Sequence, residues 1–97
     1  MFTGIVQGIA TVAALEARPG LVGVTLQFPP GLTEGLEIGA SVAVDGTCLT
    51  VTAVQGDRGR FDVMAQTLAL TTLGALREGS RVNVERSAKT GVEIGGH

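Results

Sequence analysis

Tyrosine and tryptophan are both absent from this chain, and Phe2, Phe28 and Phe61 are its whole aromatic content. Visible absorption or visible fluorescence from a purified sample must therefore belong to a bound molecule. Cysteine is almost missing as well. Cys48 stands alone, cannot close an internal disulfide, and gives no sign of an oxidising compartment. Charged residues make up only 16% of the chain, and the formal net charge is −2. That balance excludes the basic face that nucleic acid or an anionic membrane requires. The one basic cluster, Arg77, Arg81, Arg86 and Lys89, is interleaved with Glu78 and Glu85 and reads as a solvated face. No apolar run approaches the roughly 18 residues of a membrane span. Met1-Phe2-Thr3-Gly4 lacks the basic start of a secretory signal, so a cytoplasmic location is expected. No group of His, Cys and acidic residues has metal-ligand spacing, and no phosphate loop or nucleotide fingerprint occurs, so no metal is expected.

What remains is a chain of 97 residues, 44% hydrophobic and with 15 glycines. It is too apolar for disorder and long enough for one modest core. So little charge on so apolar a chain also points to a surface that meets a partner. The most informative stretch is Ala40 to Val51. Asp45-Gly46 between two alternating runs is a strong signal for a two-residue hairpin, because a type I′ turn needs positive φ at both centres. That turn sets Val44 opposite Thr47, Ala43 opposite Cys48, Val42 opposite Leu49 and Ser41 opposite Thr50. One face becomes Val42, Val44, Leu49 and Val51, a core face. The other becomes Ser41, Ala43, Cys48 and Thr50, a neutral and mildly polar shelf on which a flat ligand can lie.

The remaining elements come in order. Gly4 to Leu15 reads as a first strand with a bulge at Gly8, and Leu21 to Phe28 as a second that Pro29-Pro30-Gly31 stops. Leu32 to Ile38 is a short turn or a single helical turn, closed by Gly39. Gln55 to Gly59 is a loose hairpin loop before a strand over Arg60 to Ala65, with Phe61 and Val63 on one side and Asp62 and Met64 on the other. Thr67 is a candidate N-cap for a short helix that Gly74 ends, with free N–H groups beside Met64, Ala65 and Gln66. Arg81 to Arg86 is the last strand. Residues 36–45 and 76–85 share the pattern L-x-x-G-x-x-V-x-V-acid, an internal echo in which a glycine corner feeds a strand. The expected fold is all-β: a six-stranded antiparallel Greek-key barrel with one or two short helices, a sandwich being the alternative. It occupies residues 1–86, and 87–97 reads as a polar, Gly-rich tail or linker.

The residues alone offer little chemistry. A lone buried cysteine is usually a small hydrophobe, and a nucleophile needs a base or cation beside it. Asp45 and Asp62 read as turn or strand-edge carboxylates, and His97 as a chain end.

Several stretches together resemble the amino-terminal half of riboflavin synthase, of the α-chain family. They are Met1-Phe2-Thr3-Gly4-Ile5-Val6-Gln7-Gly8, Gly46-Thr47-Cys48-Leu49-Thr50-Val51, Phe61-Asp62-Val63-Met64 with Thr67-Leu68, Val82-Asn83-Val84-Glu85-Arg86, and Glu93-Ile94-Gly95-Gly96-His97. The resemblance implies two Greek-key barrels in tandem, assembled as a homotrimer, each barrel binding one 6,7-dimethyl-8-ribityllumazine. It also implies a dismutation, with no added cofactor, in which one lumazine donates a four-carbon unit to another to give riboflavin and a pyrimidinedione. The acidic C7 methyl of one ring loses a proton and the carbanion attacks the second ring, to which a nucleophile such as water has added at C7.

Carried onto this chain, the implied ligand contacts are Gly4, Ile5 and Val6; Thr47, Cys48 and Leu49; and Asp62, Val63, Met64, Ala65, Gln66 and Thr67. Ser41 and Thr50 join them from the shelf. Cys48 is the candidate catalytic residue, with wall and polar contact as its other role. The chain ends where the resemblance implies a second barrel, so the tail leads toward a missing barrel and little turnover is expected of one barrel. The expected ligands are riboflavin or the lumazine, and the expected assembly of the isolated barrel is a homodimer. The other reading is a single-barrel lumazine or flavin carrier without turnover, like the lumazine-carrying antenna proteins of this fold.

Overall fold

A computed structural model describes residues 2–87 of the protein. Six antiparallel strands form a closed barrel: β1 (Gly8–Arg18), β2 (Leu21–Gln27), β3 (Ser41–Val44), β4 (Thr47–Gln55), β5 (Arg58–Met64) and β6 (Arg81–Arg86). One helix, α1 (Ala65–Leu70), and a 3₁₀ turn over Thr72–Ala75 connect β5 to β6. Around the barrel the order is β1, β2, β5, β4, β3, β6, and β6 pairs back to β1. This is the expected Greek-key barrel, in which closure gives every strand a neighbour on both sides.

Alternation of valine and leucine with small or polar residues decides which way each strand faces. Val12, Val24, Leu26, Val42, Val44, Leu49, Val51, Phe61, Val63, Val82 and Val84 fill the interior, and Leu36 and Leu73 from the two long connections complete it. Asp45 and Gly46 have φ of 47° and 84°, both left-handed as a type I′ turn demands. The register is the expected one, with Ser41↔Thr50, Val42↔Leu49, Ala43↔Cys48 and Val44↔Thr47. Both faces of the hairpin fall as read.

The internal echo is a structural repeat. Gly39 and Gly79 turn the chain at φ of 92° and 89°. Gly39 N donates to Val51 O and Val51 N to Ala40 O; correspondingly, Gly79 N donates to Val12 O and Val12 N to Ser80 O. Register shifts occur at matching places, between Val12 and Ala14 on β1 and between Val51 and Ala53 on β4. Exchanging β1-β2-β3 with β4-β5-β6 reproduces the strand order. A local two-fold therefore passes through the opposed pairs Val44–Val84 and Thr25–Arg60.

Several local expectations change. β1 begins at Gly8, not Gly4, and runs to Arg18; residues 3–7 form a separate strap along β6. The bulge lies at Ala13, not at Gly8, which pairs regularly with Val84. Gly8 lies in close approach to the next connection: a Cβ there would sit 3.1 Å from Pro29 Cγ and 3.2 Å from Leu32 Cδ2. The 55–59 loop is a tight turn over Gly56-Asp57, since Gln55 already pairs with Arg58.

Thr67 is not an N-cap. β5 runs straight into α1, Met64 holds the cap position without a side-chain bond, and Gly20 O takes the Ala65 N–H at 2.9 Å. Thr67 lies inside the helix, and its carbonyl accepts the Thr71 hydroxyl at 2.7 Å. Thr71 is the capping hydroxyl, accepting Leu73 N at 3.2 Å at the start of the 3₁₀ turn. Gly74 lies within that turn and does not end α1. Past Ser87, the expected tail and the Glu93–His97 stretch lie outside the described residues.

Candidate functional site

The barrel wall is interrupted where β4 and β5 part. The ladder between β4 and β5 runs from the Gly56-Asp57 turn as far as Val51↔Phe61. Beyond it, Thr47–Thr50 pair with β3 and Asp62–Met64 pair with β2, but the two segments do not pair with each other. Val51 directs its N–H and C=O to the Gly39-Ala40 corner. The alternation of an antiparallel ladder then turns the backbone groups of Cys48 and Thr50 toward β5. On the other lip Ala65 N is bound to Gly20 on the β2 side, and the same alternation turns Asp62 and Met64 toward β4. The result is a split edged on both sides by main-chain donors and acceptors.

In the other half of the barrel β1–β2 pairing stops at Thr11↔Gln27; there Gly8, on the inward side with Ala10 and Val12, is backed by Pro29 and Leu32, and Ile9 is 48% exposed on the outside. Beside the open split, Met64 is 56% exposed, and Ala65 and Gln66 are exposed too.

The neutral shelf adjoins the split. Ala43 opposes Cys48 across the hairpin and Glu85 across β3–β6, so Glu85, Ala43 and Cys48 form one outward row. Ser41 opposes Thr50 in the next row. Cys48 is a free, exposed thiol; Thr50 is exposed, and Ser41 and Thr47 are half-buried. Leu49 and Val63, both expected contacts, point into the core at 6% and 0% exposure. Only their main chain is available outside. Asp62 and Thr67 are half-buried at the border of the split.

Gly4, Ile5 and Val6 are placed differently. Gly4 and Val6 line a hollow of about 100 Å³ with Ala43, Gly46, Asn83, Val84 and Glu85, and no residue of β5 or α1 takes part. Ala43 is what the hollow shares with the shelf. The strap is tied down by Glu85, which accepts Thr3 N at 2.6 Å, the Thr3 hydroxyl at 2.8 Å and Gly4 N at 3.1 Å. These bonds, led by that from the Thr3 backbone, hold the Glu85 carboxyl below the usual glutamate range.

A larger cleft of about 310 Å³ opens on the outer wall around Thr25 and Arg60, between Ala14 and Ala53 at the two bulges. It contains none of the expected ligand residues. Its guanidinium groups are engaged, Arg60 with Glu16 at 2.7 Å and Arg58 with Gln27 at 2.8 Å. The split is therefore the better candidate. Among the described residues no cluster of His, Cys, Asp and Glu is arranged to hold a metal ion, and no helix is long and apolar enough to cross a membrane.

The lumazine binding domain family matches residues 3–87. The chain belongs to this family. It is 50% identical over 97 residues to riboflavin synthase of Escherichia coli (strain K12), covering 100% of this chain and 46% of that protein. It is 48% identical over 99 residues to riboflavin synthase of Mycobacterium tuberculosis, covering 100% of this chain and 48% of that protein. The chain thus spans about half the length of these curated relatives. Among solved structures, LumP complexed with 6,7-dimethyl-8-(1'-D-ribityl) lumazine superposes with a TM-score of 0.82 at 32% identity, covering 92% of this chain and 50% of that one. LumP complexed with riboflavin gives the same TM-score of 0.82 and 32% identity, covering 94% and 51%.

Two features of this family member escape sequence reasoning. The split has no local signature, because it is defined by the rung where pairing stops. Glu85 escapes as well, although the echo aligns it with Asp45. Both acids bind main-chain N–H groups, Asp45 through Asn83 N at 2.8 Å, and that alignment is the signal that singles Glu85 out.

Proposed function

We propose that this domain binds 6,7-dimethyl-8-ribityllumazine or riboflavin at the split between β4 and β5, as the amino-terminal half of a riboflavin synthase. The observation that carries the reading is the interrupted ladder beside a neutral shelf. A pteridine edge presents carbonyls and ring nitrogens much as a strand edge does, so it can take up the backbone groups of Cys48, Thr50, Asp62 and Met64. Met64 and Ala65 supply a floor for the ring, and Ser41, Thr47, Thr50 and Thr67 supply hydroxyls for the ribityl chain. Gln66 borders the same edge. With only three phenylalanines in the chain, aromatic stacking plays little part.

In the complete enzyme, one lumazine gives a four-carbon unit to a second, yielding riboflavin and a pyrimidinedione. Two rings held face to face by facing barrels gain rate through proximity and orientation. A single barrel supplies half of that arrangement, so little or no turnover is expected from it. Ile5, Met64 and Leu70, at 69%, 56% and 76% exposure, give the domain an apolar surface suited to a second barrel. The isolated barrel is expected to pair as a homodimer, and the two-barrel protein to form a homotrimer. Cys48 serves as wall and polar contact, with nucleophilic attack as the alternative role. The reaction needs no added cofactor.

A second reading, a lumazine or flavin carrier without turnover, draws support from the likeness to ligand-bound LumP. The higher identity to the synthases favours the first. Riboflavin titration tests both: quenching of its fluorescence with sub-millimolar affinity is expected, and no binding would overturn them together. Incubation with the lumazine, followed at riboflavin absorbance, then separates enzyme from carrier.

A further inference from the structure

Glu85 follows the inward-facing Val84 on β6 and so faces outward, yet it is only 6% exposed. The strap covers it. Its Oε2 accepts Thr3 N and the Thr3 hydroxyl, and its Oε1 accepts Gly4 N. Among the described residues no ion pair involves this carboxylate; the strap supplies the donors that hold its charge, and such charge-assisted bonds are strong. Gly4, at φ 83°, turns the chain in the left-handed region directly after the Thr3 and Gly4 N–H groups. The strap is fixed again at its far end, where Gln7 N donates to Val84 O at 2.9 Å and Gln7 Oε1 accepts Arg86 N at 2.7 Å. Between the two anchors Ile5 and Val6 are held outward, 69% and 51% exposed. In the row Glu85, Ala43, Cys48 the latch lies two strand spacings, roughly 10 Å, from the exposed thiol.

We infer that Glu85 is a positioning residue for the ligand site: it latches Thr3 and Gly4 onto β6 and so sets the wall that Ile5 and Val6 present beside Ala43 and Cys48. The inference rests on the lumazine or flavin reading above. The latch is also sensitive to protonation, because a neutral carboxyl turns one acceptor oxygen into a donor facing the strap's N–H groups. The amino-terminal ammonium also favours the charged form of Glu85, after the strap's hydrogen bonds, and no charged side chain among the described residues takes the strap's place. Ala43 on β3 is neutral, the strap carries no ionisable side chain over residues 3–7, Asp45 is bound to Asn83 N, and the Arg86 guanidinium is turned to the carbonyls of Leu32 and Glu34.

The test uses the full chain, with Glu85→Gln and Thr3→Val, riboflavin titrations from pH 7 downward, and amide NMR of Thr3 and Gly4. Both variants are expected to shift those two amides to unstructured-chain positions while the β3–β4 amides stay in place. Both should weaken riboflavin roughly fivefold, as a strap docked in about one molecule in five would do. The wild-type affinity should fall as Glu85 takes up its proton, and Glu85→Gln should lack that acid limb. Wild-type affinity in a variant whose strap amides are released would overturn the inference and leave the binding reading intact. If the wild type itself fails to bind riboflavin, the functional reading falls first and the positioning role with it. Should Glu85→Gln not fold, Thr3→Val, which keeps the carboxylate, decides.

Discussion

Val12 and Val51 occupy equivalent places in the two halves of the barrel, each exchanging two backbone hydrogen bonds with a glycine corner, Gly79-Ser80 for one and Gly39-Ala40 for the other. The walls beside these two valines differ. On the inward side of Gly8 the chain is packed by Pro29 and Leu32, whereas near Cys48 the β4 and β5 edges part. The asymmetry predicts a crossed pair of mutants. Leu32→Ala removes a half-buried side chain from the core margin and should cost about 1–3 kcal/mol of stability, with riboflavin affinity unchanged. Met64→Ala, at an exposed site, should alter stability by no more than about 0.5 kcal/mol and weaken riboflavin severalfold. Urea unfolding and fluorescence titration read the two effects separately.

Two glycines should fail for different reasons. At Gly59 an added Cβ would lie 2.9 Å from Cε1 of the buried Phe28, so Gly59→Ala must displace a packed ring, at about 1–3 kcal/mol. At Gly46 an added Cβ meets nothing within 4 Å, and φ is 84°. Gly46→Ala should therefore cost about 1–2 kcal/mol from backbone conformation alone. Equal losses relieved in both cases by Phe28→Leu would contradict this division.

Glu85 also shapes stability against pH. Its folded pKa is lowered, so its contribution is fully present above the ordinary glutamate value of about 4.3 and is lost as pH falls through the lower folded value. Thermal unfolding below pH ~4.5 should show this loss in the wild type and not in Glu85→Gln. Glu16 is lowered too, by its hydrogen bonds to Arg18 and then Arg60, but it is 57% exposed. An exposed pair contributes little, so Glu16→Gln should leave the acid limb as it is.

Cys48 offers a chemical probe. Its exposed thiol should react with iodoacetamide in the free protein and be protected by riboflavin. Cys48→Ser should bind riboflavin within about twofold of wild type, the change expected when a wall atom is exchanged for one of similar size. In the complete two-barrel enzyme it should also keep its rate; collapse of turnover with binding intact would assign the thiol a nucleophilic role.

The parts of this fold that are readable from the chain are local. Asp45-Gly46 fixes a register by its own φ angles, and alternation around it sorts Val42 from Ala43 and Leu49 from Cys48 without knowledge of any other strand. The unreadable parts depend on distant partners. Thr67 has the chemistry of a cap, but the Gly20 carbonyl, on the neighbouring hairpin, takes the Ala65 N–H and the helix starts three residues early. Thr3 and Glu85 are 82 positions apart, beyond the reach of any periodicity. Gly8 resembles a bulge glycine until Pro29 and Leu32 are seen above it. The site obeys the same rule: its shelf belongs to one hairpin and is legible, while its split lies between two ladders and is not.

Amide NMR of the chain titrated with riboflavin measures the central claim most directly. The largest shifts should fall at Cys48, Thr50, Asp62 and Met64 through Gln66, with no change at Ala14, Thr25, Ala53 or Arg58. Shifts gathered around the Thr25–Arg60 cleft, with the β4 and β5 edges undisturbed, would contradict the assignment of the split as the binding site.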